Sequence, residues 1–71
     1  VSRSDVLLVH IHQLRLALAG VRAARTKCAA LGSAEENLRR IAKLEAMVVE
    51  LEDTLRELRR SLHLVGREER A

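Results

Sequence analysis

Four side chains in this chain could act chemically: His10, His12, His63 and Cys28. An imidazole can bind a metal, pass a proton or accept a phosphate, and a thiolate can attack or ligate. On a helix, His10 and His12 point about 200° apart, so they cannot hold one metal between them. His63 lies far along the chain, and even a hairpin that folds it back leaves a zinc site short of a third ligand. Cys28 has no disulfide partner and no histidine arranged as its base. It falls at an apolar position, which predicts an inert, buried thiol. A Gly-rich phosphate loop, a catalytic triad and a paired acid and base are all missing from the sequence. The residues predict no cofactor, no metal and no complete enzyme active site.

The elements that position these residues are helical. The chain of 71 residues has no Phe, Tyr, Trp or Pro, and Leu, Ala, Arg and Glu dominate, the composition of long helices or coiled coils. Gly32-Ser33 is the strongest punctuation, with glycine suited to the left-handed residue beyond a helix end. Ser33-Ala34-Glu35-Glu36 reads as a capping box for a second helix. Ser2 or Ser4 can cap the first, with Asp5 favoured in its first turn by the helix dipole. The expectation is a helix from about residue 4 to 31, a turn at 32–33, a helix from about 34 to 65 ended by Gly66, and a frayed tail over 66–71.

Helix two carries an unbroken a/d seam, Ile41, Leu44, Val48, Leu51, Leu55, Leu58, Leu62 and Val65. Helix one supplies Leu7, Ile11, Leu14, Leu18 and Val21 in the same rhythm, which weakens at Arg25 and resumes at Cys28 and Leu31. The predicted fold is all-α, an antiparallel two-helix hairpin with these residues as its core. Equal-height pairing sets Arg15 opposite Glu52 and Arg22 opposite Glu45, selecting register and orientation more than stability.

Helix one has a second apolar, small-residue face, with Val6, Val9, Leu16, Ala17, Gly20, Ala23 and Ala24 on it and Met47 beside it on helix two. Helix two cannot cover that face, and a chain this short seldom stabilises a single core without staples or oligomerisation. Two hairpins packing into a four-helix bundle would bury it. The predicted function is a non-enzymatic oligomerisation module, a homodimer or a binder of a partner protein's helix.

The net charge of +3 is unevenly placed. Residues 1–31 carry five basic residues and Asp5 alone, whereas residues 32–71 carry eight basic and nine acidic. The basic residues are not massed on one stripe and no aromatic platform exists, so nucleic-acid binding is not expected. Val6 to Ala24 is interrupted by His10, His12, Gln13, Arg15 and Arg22, which argues against a membrane span. A lone cysteine without a signal-peptide pattern predicts a reducing cytoplasm.

His12-Gln13-Leu14-Arg15-Leu16-Ala17-Leu18-Ala19-Gly20-Val21-Arg22 resembles the phosphoacceptor box of sensor histidine kinases. Arg40 to Asp53 is similar to the second helix of the same dimerisation domain. The resemblance implies a dimeric four-helix bundle in which His12 accepts phosphate from a separate ATP-binding domain. Leu16-Ala17 stands where that box has Thr-Pro, and Gln13 where it commonly has an acid. In length and layout the chain is also similar to small helical-hairpin chaperones of type III secretion needle subunits, which implies binding alone.

Overall fold

The computed structural model describes residues 2–70. Helix α1 spans Arg3–Ala30 and helix α2 spans Glu35–Arg70, and they pack as an antiparallel hairpin about 56 Å long. The 36 residues of α2 account for that length at ~1.5 Å per residue.

Local chemistry sets the first helix. Ser2 is its N-cap, its Oγ accepting from the Asp5 N–H at 3.2 Å, and Asp5 lies in the first turn, where the helix dipole favours an acid. At the far end the Leu31 N–H donates to the Cys28 carbonyl at 3.1 Å. Gly32 follows at φ +114°, a conformation that strains any residue with a Cβ. Leu31 does not resume the core pattern as expected. As the C-cap it is 75% exposed.

The entry to α2 departs from the expected capping box. The helix starts at Glu35, and the Ala34 carbonyl accepts from the Leu38 N–H at 2.9 Å. Glu36 turns forward to Arg40 at 2.9 Å, rather than back to Ser33, and Glu35 pairs with Arg39 at 2.8 Å. An i,i+4 partner of opposite charge draws these carboxylates along the helix.

The exit also departs from expectation. α2 does not end at Gly66 but runs to Arg70. Gly66 is helical, Val65 is buried, and Ser4 Oγ meets Glu69 at 2.7 Å while Arg3 meets Glu68 at 3.4 Å. Tertiary anchoring on the first turn of α1 outweighs the modest helix cost of one glycine.

The core is one seam. Ile11, Leu18, Val48 and Leu55 are buried against one another, with Leu14, Val21, Leu51, Leu58 and Leu62 partly buried around them. Leu7, Ile41 and Leu44 extend it as half-buried residues. Among the described residues no large side chain is fully buried, as expected when only one stripe per helix has cover.

The cross-helix ion pair differs from the expected pairing. Arg22 reaches Glu52 at 3.1 Å, not Glu45, and Arg15 makes no ion pair among the described residues. The contacts Ser4–Glu69 and Arg3–Glu68 set the register. The longer α2 begins beyond the end of α1, so residues of equal height lie farther along α2 than a turn centred on residues 32–33 would place them, and Arg22 stands nearly level with Glu52.

Candidate functional site

The residues with chemical potential stay apart. His10, His12 and His63 are exposed, and no group of three or more His, Cys, Asp or Glu residues among the described residues could hold a metal ion. His10 borders a shallow groove with Gln13, Leu14, Ala17, Thr54 and Leu58. His12 stands off the buried seam. Cys28 is half-buried near the turn.

Asn37 is the polar residue that sequence reasoning missed. It is buried at 8% exposure, and its Nδ2 donates to the Cys28 carbonyl at 2.6 Å and to the Gly32 carbonyl at 2.7 Å. The first turn of α2 thereby gives the Cys28 carbonyl a second donor beside the Leu31 N–H and satisfies the Gly32 carbonyl of the turn. The signal was available: Asn37 lies four residues before Ile41, so the seam itself continues onto a polar side chain. Its Oδ1 is buried without a hydrogen-bond partner.

The hairpin also gathers charge that looks scattered along the chain. Arg15, Arg22, Arg56 and Arg59 border one groove over Leu18, Ala19 and Leu55, with Glu52 among them. Two of the four guanidiniums are engaged, Arg22 with Glu52 and Arg56 with Asp53 at 3.3 Å. The remainder is a solvated basic edge.

The larger unsatisfied feature is apolar. Val6 is 44% exposed, Val9 55% and Leu16 62%, and Ala17 and Gly20 are exposed while Ala24 is half-buried. Val6, Val9, Gln13, Leu16, Gly20 and Ala23 alternate spacings of three and four, so they form a second a/d row on α1. At ~100° per residue, Val9 and Leu16 lie roughly 140–180° around the helix from Ile11 and Leu18. Val9, Leu16 and Gly20 face away from α2, while Val6 and Gln13, at the row's edge, border grooves shared with Ser61 and Val65 and with Thr54 and Leu58 of α2. On α2 the exposed Leu38, Met47, Val49 and Leu64 scatter singly, which is ordinary for a protein surface.

The exposed surface totals 5542 Å², against roughly 4,500 Å² for a compact monomer of this mass. The rod shape accounts for the excess. It is about the area, ~800 Å² per partner, that a standard protein interface covers.

By length and composition alone α1 is apolar enough to cross a membrane. Its leucines, valines and alanines outweigh the interrupting histidines and arginines when averaged along the helix. A helix that faces protein on two sides has the same composition.

Comparisons with family models, with curated proteins and with solved structures give no match.

Proposed function

We propose that this chain is a non-enzymatic assembly module, a coiled-coil hairpin that associates with a second copy of itself through the outer row of α1. The single observation that carries this reading is the exposed Val9 and Leu16, a heptad apart on the side of α1 that α2 leaves uncovered, with the exposed Val6 continuing their row at its edge. Apolar surface in a continuous row is costly in water, and packing against another helix removes that cost. A bilayer is a poorer match. α1 shares its seam with α2, a helix rich in charge on its outer side, and Arg22 is tied to Glu52. Burying α1 in lipid would break that seam or carry charge with it.

The test is mass in solution by sedimentation, at micromolar and submicromolar concentrations. The hairpin should be dimeric in the upper range, and Val9→Glu with Leu16→Glu should give monomers with much of their helix lost, since one hairpin barely sustains itself. A stably folded monomer, with or without the substitutions, sinks the proposal. Partition of the unsubstituted chain onto neutral lipid vesicles in place of self-association would assign the row to lipid instead.

A second reading rests on His12, whose imidazole is exposed and off the seam as a phosphoacceptor requires. Gln13 beside it can orient the ring but cannot take its proton. Acid-labile phosphate on His12, formed with an ATP-binding kinase domain supplied in trans, would establish this chemistry. His10, on the opposite side of the helix, should remain unmodified.

A further inference from the structure

The outer row of α1 is uneven, and its unevenness specifies how a second copy sits on it. Larger residues, Val6, Val9 and Leu16, fall toward its N-terminal part, and Gly20 and Ala23 follow toward the C-terminal end. Gly20 is helical, and a Cβ built there would meet nothing within 4 Å. The hairpin therefore gives no reason for glycine in the middle of a long helix, where it is unfavourable. A helix approaching from outside does.

Charge points the same way. Asp5, in the first turn, is the only acid of α1, and Lys27 lies in its last turn. Side by side in parallel, two copies of α1 would stack Asp5 on Asp5 and Lys27 on Lys27, and would taper from valine layers to a void at glycine. Antiparallel, each Asp5 approaches the Lys27 end of the other helix and large residues face small ones along the row.

Resting on the self-association reading, we infer that two copies pair their α1 helices antiparallel along this row. Val6, Val9 and Gln13 of one protomer then meet Ala23, Gly20 and Leu16 of its partner. Because the row lies nearly opposite the buried seam rather than at a right angle to it, the four helices lie side by side in the order α2, α1, α1, α2. They do not close around a common core.

Cysteine bridging tests this on the full chain in a Cys28→Ser background. Val9→Cys and Gly20→Cys chains are prepared separately, mixed in denaturant, refolded together and oxidised, with circular dichroism confirming that each variant is helical. A bridged dimer should form in the mixture and in neither chain alone, and Val6→Cys with Ala23→Cys should repeat the pattern if either first substitution disturbs folding. Bridging of Val9→Cys to itself would show parallel packing, and bridging of Ala17→Cys to Met47→Cys between chains would show a closed bundle. Either overturns the inference, as does a dimeric mass with no bridge in both mixtures. A monomeric mass of the Cys28→Ser parent would instead overturn self-association itself.

Discussion

Replacing Gly20 by alanine asks the molecule whether a helix lies against α1, because the answer reverses the sign of the effect. In the hairpin alone the new methyl meets nothing within 4 Å. The substitution then brings only the helix-propensity gain of about 1 kcal/mol, a rise in melting temperature of about 4–8 °C for a domain this size. In the antiparallel dimer the same methyl is driven toward the partner's Val9, and overpacking costs ~1–3 kcal/mol per site. Two sites arise by symmetry, so the expected balance per dimer runs from cancellation to a loss of about 4 kcal/mol. A net loss of about 2 kcal/mol weakens the dissociation constant roughly 30-fold. Thermal melts followed by circular dichroism at several concentrations, paired with sedimentation equilibrium, separate the cases. A full rise in melting temperature with unchanged association would refute the claim that a second helix approaches Gly20.

The other two glycines make matched controls. Gly66→Ala should stabilise the end of α2 by up to ~1 kcal/mol, since the added Cβ meets only Arg70 Nη2 at 3.8 Å; increased hydrogen-exchange protection over Val65–Arg70 is the readout, and loss of helicity there would count against it. Gly32→Ala should lower the melting temperature, because alanine is strained at φ +114°. Asn37→Ala removes both hydrogen bonds to the Cys28 and Gly32 carbonyls and should cost ~1–3 kcal/mol by denaturant unfolding; a neutral result would mean that water caps these carbonyls equally well. His12→Ala should change stability by at most about 0.5 kcal/mol, as exposed substitutions do, and a larger drop would show that the imidazole packs against something.

Much of this fold was legible because heptad spacing is a strong signal. Ile41 through Val65 specify one stripe of α2, Leu7 through Val21 specify one of α1, and Gly32 marks where the chain turns. What was misread has local causes. Gly66 signals a helix stop, but Val65 before it is buried and Glu68 and Glu69 beyond it reach Arg3 and Ser4, 65 positions away on α1. Arg22 meets Glu52 rather than Glu45 because α2 begins beyond the end of α1, which shifts the register away from one centred on the turn. Asn37 keeps the seam's spacing within the expected helix, but an apolar pattern begins only at Ile41 and does not include a polar side chain. The four arginines that share a groove looked dispersed because two come from each helix. As for the candidate site, its apolar residues could be named from the sequence. That helix two leaves Val9, Leu16 and Gly20 uncovered follows from their spacing alone, whereas the groove that Val6 shares with Ser61 and Val65 of α2 does not.

The two helices are unequal, and the inequality bears on function. α2 is amphipathic, with one apolar stripe buried on α1 and charge elsewhere, as suits a helix with one packed side. α1 is apolar on two nearly opposite sides, and its charge is concentrated in the arginines along one edge and at its ends. Such a helix is at home between neighbours, yet the hairpin provides one neighbour only. Its resemblance in composition to a membrane span and its exposed heptad row are one property seen twice. Lipid would cover apolar surface without regard to side-chain size, whereas a helix rewards an alternation of large and small residues. Glycine at position 20, open to solvent and costly to the helix, fits the second kind of neighbour.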